Sequence, residues 1–167
     1  MRRTDREVVQ PDRMESFLNA AKILRLGFSE EPYPYIVPLH YGWISGQEAE
    51  DFMLTFYMHS AKEGRKVELL SHERSVCVEI DRDGGIISGG EEACRYSAAF
   101  ASFIGFGTAS VVTDVEEACK GLSVLMEHQT GRAWTIRPEQ AGKVAVLRVK
   151  IHSYSMKERI HPNFLKK

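Results

Sequence analysis

Residues 56–66 decide the fold around them, and they read Phe56-Tyr57-Met58-His59-Ser60-Ala61-Lys62-Glu63-Gly64-Arg65-Lys66. The first four residues are apolar or aromatic, and they end a run that is typical of a strand. Ser60 and Glu63 then have the spacing of a capping box, which predicts a helix that continues to about Ser71. We therefore expect the chain to pass directly from a strand into a capped helix at Ser60.

Three cations, Lys62, Arg65 and Lys66, fall in the first two turns of this predicted helix. The first N–H groups of a helix have no partner within it, and the helix dipole places positive charge at the same end. With cationic side chains added, such a helix start favours binding of one phosphate group. A solvated helix face screened by Glu63 and Glu68 explains the same residues without any ligand.

The preceding residues predict a β-hairpin. Residues 35–45 and 52–59 are rich in β-branched and aromatic residues, and the polar residues 46–51 separate them. A symmetric hairpin places Pro38 opposite His59 and His40 opposite Tyr57. Because proline cannot donate to a ladder, Pro38 indicates either an opening where a ligand meets bare backbone or an edge strand.

The remainder of the chain supplies the other predicted elements. Helices are expected at 11–21 and 114–128, and strands at 22–28, 75–81, 99–112 and 143–155, with a mobile Gly-rich loop at 81–96. A long strand kinked at Gly105 and Gly107 is part of this pattern. Six strands joined mostly by hairpin-length loops predict a mainly β fold with peripheral helices, in which an antiparallel sheet closes into a small barrel.

Bulk properties exclude several classes of protein. The 167 residues suit one domain, and a net charge of −1 disfavours nucleic-acid binding, which usually needs a basic excess. We expect no signal peptide and no transmembrane segment, because no long apolar run is present. Three cysteines without a CxxC pair favour reduced thiols in a cytoplasmic protein. No GxGxxG or P-loop motif supports dinucleotide or nucleotide binding of those types.

Two further residues are candidates for a site. His59 ends a predicted strand beside the cations. At this position it is able to donate a hydrogen bond to a flavin, bind the carboxylate of a substrate or carry a proton. A half-buried histidine at the edge of the sheet, without any ligand, explains it equally well. Trp134 suits stacking on a ring system or ordinary packing. The histidines lack ligand spacing, so we expect no metal site.

Five blocks of sequence resemble the pyridoxamine 5′-phosphate oxidase-related, FMN-binding split-barrel proteins, and within them the nitroimidazole-resistance (Nim-type) branch. The blocks occur in order along nearly the whole chain, as residues 1–7, 35–39, 59–66, 76–79 and 102–107. The first and third blocks are the most specific. This resemblance implies a six-stranded split β-barrel that forms a homodimer, with FMN in a cleft between the subunits.

The resemblance also implies a set of cofactor-binding residues. The phosphate is expected against Ser60, Lys62, Arg65 and Lys66, which agrees with the reading of the helix start. The ring is expected near the backbone of Val37, Pro38, Leu39, His40 and Tyr41, with Tyr57 and His59 beside it and Trp134 from the partner subunit.

By the same resemblance, we expect an FMN-dependent oxidoreductase that acts on a small planar acceptor such as a nitroaromatic. His59 is the expected proton donor, and NAD(P)H or another flavoprotein is the expected electron donor. Two alternatives remain open, namely a non-catalytic flavin-binding or sensing module and a heme-binding relative on the same barrel.

Overall fold

The computed structural model describes residues 4–48 and 51–160 of the chain. In these residues the strands are β1 Ile23–Phe28, β2 Tyr35–His40, β3 Gly42–Glu48, β4 Asp51–Ser60, β5 Arg74–Ile87, β6 Ser97–Val111 and β7 Ala145–Arg159. The helices are α1 Pro11–Ala20, α2 Arg65–Leu69, α3 Val115–Thr130 and α4 Pro138–Ala141, and short 3-10 turns lie at Thr4–Arg6 and Ala93–Arg95. The mainly β class with peripheral helices is confirmed.

All of the described strands belong to one antiparallel sheet, in the order β2-β1-β5-β6-β7-β4-β3. The two strands at its ends, β2 and β3, are consecutive in the chain and are joined by Tyr41 alone. A single-residue link requires the two ends of the sheet to lie near one another, so the sheet curls into a barrel. No ladder joins the two ends within the described residues, so the barrel is split along this seam.

The predicted strand over 35–45 is two strands, which is why the sheet has seven strands rather than six. Tyr41 interrupts it because its buried side chain is fixed to α1, where its hydroxyl donates to the Leu18 carbonyl at 2.8 Å. The ring nitrogens of His128 lie 2.6 Å from the Tyr41 carbonyl and 2.9 Å from the Leu18 carbonyl. These contacts hold Tyr41 out of the ladder and direct the chain from one end of the sheet to the other.

The predicted hairpin is therefore only half correct. β3 pairs with β4 in a register that sets Gly42 opposite Tyr57. β2 instead pairs with β1, where Pro38 lies opposite Arg25, so the expected pairings of Pro38 with His59 and of His40 with Tyr57 are wrong. Because β2 is at the end of the sheet order, the edge-strand interpretation of Pro38 is confirmed.

Strands β5 and β6 are longer than the sequence predicted. The loop expected over 81–96 is in part strand, since β5 continues to Ile87 and pairs with β6 up to Ser97. Cross-strand pairing outweighs the low strand propensity of the glycines there, at the cost of a register shift between Asp83 and Ile86. The kink expected at Gly107 is confirmed as a register shift on the β7 side of β6. A Cβ at Gly107 would lie 2.0 Å from the Lys150 carbonyl oxygen, so only glycine fits.

Alternation along the strands separates two apolar clusters. The inner cluster fills the curled sheet and is closed by α1, and its largest buried members include Leu18, Phe28, Tyr41, Phe56 and Phe103. The outer cluster lies between the opposite face of β4 and β7 and helix α3, and it contains Tyr57, Ala118, Leu122, Leu125 and Val146. Helix α3 begins where the predicted helix begins, because the carboxylate of its N-cap Asp114 accepts the Glu117 N–H at 2.7 Å.

Candidate functional site

The segment that follows β4 does not form the predicted capped helix. Ser60 pairs with Ala145 as the last residue of β4, and its hydroxyl donates to the adjacent Ala61 carbonyl at 2.7 Å. The chain then bends, and Gly64, with φ of 118°, precedes the five-residue helix α2. The expected capping box at Ser60 and Glu63 is therefore wrong, and the expected helix is confirmed only over its later part, as α2. Pairing with β7 holds Ser60 in the sheet, and the left-handed turn at Gly64 delays the helix.

The cations of this segment have different neighbours in the structure. The Arg65 guanidinium lies 4.8 Å from the centre of the Tyr35 ring, and its Nη2 is 3.9 Å from a carboxylate oxygen of Glu30. Arg74 Nη1 is 2.9 Å from the other oxygen of Glu30. Lys62 is exposed and borders a cavity near α3 and α4. Any anion held here is therefore recognised by side chains and not by a helix dipole.

Glu30 and Arg74 were missed by the sequence reasoning. They flank Arg65 because the end of β1, the start of β2 and the start of β5 meet at one end of the barrel. Neither residue belongs to a local motif, and only the pairing of the strands indicates that they lie close to Arg65.

The residues expected near a ring divide between the two faces of β2. Val37 and Leu39 face the inner cluster and are half-buried, whereas Pro38 and His40 are exposed. His40 Nδ1 lies 3.0 Å from Gln129 Oε1 at the end of α3. Tyr41 is fully buried, and burial raises the pKa of its hydroxyl. What β2 presents outward is thus the backbone of an edge strand together with Pro38 and His40.

Tyr57 and His59 share the outer face of β4, but only His59 is exposed. Tyr57 lies beneath α3, where its hydroxyl donates to Glu117 Oε1 at 3.1 Å. Arg148 Nη1 lies 2.9 Å from both carboxylate oxygens of Glu117. Burial, followed by the hydrogen bond to Glu117, raises the pKa of Tyr57 to about 12. Tyr57 therefore anchors α3 to the sheet, and His59 stands in the open beyond it.

Trp134 lies in the segment between α3 and α4 and is 40% exposed. Its Nε1 donates to Thr130 Oγ1 at 3.0 Å, and the Arg132 guanidinium lies 4.8 Å from the ring centre. The ring is thus held in a fixed position on the surface rather than packed into either cluster.

A cleft of about 580 Å³ lies on the outer face of the sheet, across β1, β2, β5, β6 and β7. It was also missed by the sequence reasoning, because its walls come from five strands that become neighbours only in the folded sheet. Ile36 and Phe106, which line it, are 60% and 57% exposed. Cys77 lines it as well, and partial burial, followed by the nearby charge of Glu79, raises the pKa of its thiol.

The part of the chain that the structure describes contains neither a candidate metal site nor a candidate membrane-spanning helix. No three His, Cys, Asp or Glu side chains there lie close enough together to hold a metal ion. No helix within residues 4–48 and 51–160 is both long and apolar enough to cross a membrane.

The family of this chain follows from a match over most of its length. A family model described as pyridoxamine 5′-phosphate oxidase matches residues 10–158. The chain belongs to this family. No curated protein has a sequence that matches it significantly.

Solved structures with the same fold agree with membership of the pyridoxamine 5′-phosphate oxidase family. A Bacteroides thetaiotaomicron protein, described as a candidate 5-nitroimidazole antibiotic resistance protein, is 25% identical, with a TM-score of 0.72 over 91% of this chain and 86% of that one. The flavocytochrome Anf3 of Azotobacter vinelandii is 19% identical, with a TM-score of 0.71 over 97% and 73%. An FAD- and heme-binding protein of Mycobacterium smegmatis is 14% identical, with a TM-score of 0.71 over 96% and 79%. The last two likenesses concern the fold alone.

Proposed function

We propose that this protein is a cytoplasmic, FMN-dependent oxidoreductase that reduces a small planar acceptor of the nitroaromatic class. The family supports a flavin-type cofactor. The likeness to the nitroimidazole resistance protein, over most of both chains, supports the class of acceptor. The observation that carries the proposal is the cationic segment 62–66, which follows the exposed His59 at the end of β4.

The residues of this segment fit the phosphate group of FMN. Lys62 has no hydrogen-bond or ion-pair partner among the described residues, and Arg65 is held by Tyr35 and Glu30 with its guanidinium exposed. Lys66 directly follows Arg65 and is half-buried. A planar guanidinium that is already oriented loses little freedom when it binds a phosphate. We assign Lys62, Arg65 and Lys66, with the Ser60 end of β4, to the phosphate.

The remaining assigned residues orient the ring and the acceptor. When bound, FMN supplies the redox chemistry of the reaction. The backbone of edge strand β2 from Val37 to Tyr41 offers N–H and C=O groups to the edge of a ring, because no further strand pairs with it in the described part of the sheet. His59, exposed at the end of β4, donates a proton to the acceptor. The electron donor, NADH or NADPH, binds transiently.

We further propose a homodimer with the flavin between the subunits. The cleft on the outer face of the sheet is lined by exposed Ile36 and Phe106, with Gly27 and Cys77 between them across the strands, and exposed apolar surface of this kind is typical of an interface. The fixed and exposed ring of Trp134 suits a contact with the flavin of the other subunit.

Titration of the purified protein with FMN, followed by quenching of flavin fluorescence, tests the phosphate assignment. Lys66→Glu is expected to weaken FMN binding about ten- to a hundredfold, because a charge-assisted contact is replaced by repulsion. Lys120→Glu, on the exposed side of α3, makes the same change of charge elsewhere and is expected to leave the affinity unchanged. Equal affinity in both variants would place the phosphate at another site.

His59→Gln tests the catalytic assignment. Turnover of a nitroaromatic with NADH or NADPH is expected to fall about a hundredfold while FMN affinity stays the same, since proton transfer contributes about 10²–10⁴ to such rates. A folded wild-type protein that binds FMN but never turns over would be a flavin-binding module. A Soret band in its spectrum would identify a heme-binding relative.

A further inference from the structure

A second cavity lies at the end of the barrel beside α2, α3 and α4, away from the outer cleft. Its volume is about 350 Å³, which falls within the range of about 300–1,000 Å³ found for small-molecule sites. We call it the valine cavity, because valine is its commonest lining residue: Val67, Val111, Val112, Val115, Val144 and Val146.

Small side chains leave this space unfilled. Ala118 of α3, Ala141 of α4 and Ala145 of β7 line it together with the valines. Protein interiors are normally packed at high density, and apolar voids lose favourable contacts. Entry of an apolar molecule into this open apolar cavity is therefore favourable, because it removes apolar surface from water.

The charges at the cavity favour an anion. Among its described lining residues only Lys62 and Asp114 are charged. The Asp114 carboxylate is committed to α3, since it accepts the Glu117 N–H at 2.7 Å at the positive end of that helix. The Lys62 ammonium group has no partner in the described part of the chain. The cavity thus offers one unpaired ammonium group at the edge of an apolar space, while the negative charge of Asp114 is held at the start of α3.

We propose that the valine cavity binds a small amphipathic monoanion, such as a medium-chain carboxylate. The apolar part of the ligand lies between the valines, and its carboxylate pairs with Lys62. This site goes beyond the proposed flavin chemistry and shares only Lys62 with it. Because the ion pair is exposed, it supplies selectivity for the anion, while burial of the chain supplies most of the affinity.

Titration of flavin-free protein with sodium octanoate, followed through the methyl signals of its valines by NMR, tests the proposal. Octanoate is expected to move the signals of the cavity valines and to bind about two- to fivefold more tightly than 1-octanol. Lys62→Gln is expected to remove that preference, whereas Lys120→Gln is expected to keep it. Ala141→Leu is expected to weaken both ligands about tenfold or more, because it displaces two or three methylenes of ligand.

Several outcomes would overturn the proposal. The first is that octanoate does not move the methyl signals of the cavity valines. The second is that the wild type binds octanoate and 1-octanol equally well. The third is that Ala141→Leu binds both ligands as tightly as the wild type does. Cavity signals that respond to protein concentration rather than to octanoate would assign the cavity to a second copy of the chain. If Ala141→Leu does not fold, Val144→Leu takes its place with the same expectation. A parallel FMN titration is a separate readout, so failure of the flavin site and failure of this site are distinguishable.

Discussion

Phe103 and Tyr57 are both buried against the same sheet, on opposite faces, and they are held in different ways. Phe103 is 0% exposed in the inner cluster, with its ring centre 5.9 Å from that of Phe56 and 5.5 Å from that of Tyr154. Tyr57 is 4% exposed in the outer cluster, and its hydroxyl is bound to Glu117, which is in turn bound to Arg148. Apolar packing alone holds Phe103 in place, whereas hydrogen bonds hold Tyr57.

The difference follows from what covers each face. The inner face is enclosed by the curled sheet, so apolar packing alone fixes its side chains. The outer face of β4 and β7 is covered by α3. The Tyr57–Glu117–Arg148 network, with Arg148 Nη2 also donating to Ser110 Oγ at 3.1 Å, fixes α3 to the sheet.

The largest expected effect lies on the inner face. Phe103→Ala should lower the free energy of unfolding by about 3–5 kcal/mol, because it leaves a cavity in an enclosed core. Urea denaturation followed by circular dichroism measures it. Phe106→Ala, on the outer face of the same strand, should cost less than about 0.5 kcal/mol at protein concentrations low enough to keep the chain monomeric. At higher concentrations the proposed homodimer predicts a larger cost, and a small cost at every concentration would contradict an interface over Phe106.

An intermediate effect is expected on the outer face. Arg148→Met should cost about 1.5–3 kcal/mol in unfolding free energy, because Glu117 loses a charge-assisted pair while it remains partly buried. The matched control is Arg95→Met, which breaks an exposed pair with Glu92 and should cost no more than about 0.5 kcal/mol. Equal costs in the two variants would mean that polar contacts do not hold α3.

The smallest effect is expected from the Tyr57 hydroxyl, and it depends on pH. Tyr57→Phe should cost about 1 kcal/mol at neutral pH through the lost hydrogen bond to Glu117. The pKa of Tyr57 is raised to about 12 in the folded protein, so its contribution is complete below the ordinary value near 10 and is lost as the pH rises towards 12. The gap in stability between wild type and variant should therefore narrow from pH 10 to pH 12. A constant gap over that interval would contradict the pKa shift.

Local pattern was sufficient for most of the elements. The strands, α1 and α3 were predictable because alternation and helical spacing report which face is buried, and Asp114 was predictable as an N-cap from its own side chain. The prediction of a capping box at Ser60 and Glu63 was wrong because Ser60, despite the right spacing, pairs with β7 as the last residue of β4. A local motif yields to tertiary pairing when the same residue serves both.

The candidate site shows the same division. The sequence supplied Lys62, Arg65, Lys66 and His59 as charged or polar groups within a few residues, which is a property of spacing alone. It did not supply Glu30 and Arg74 beside Arg65, nor the outer cleft and the valine cavity. Those features join strands that are separated by tens of residues, and no local pattern encodes which strands become neighbours.

By itself, the sequence determined which residues alternate between core and surface and where positive charge concentrates, because both depend on neighbours along the chain. The tertiary structure alone decided that β2 leaves its expected partner for β1, that Arg65 lies against Tyr35, and that Lys62 borders a cavity. The physical reason is that the buried side chain of Tyr41, bound to Leu18, redirects the chain. The energy of that contact exists only once α1 and the sheet have come together.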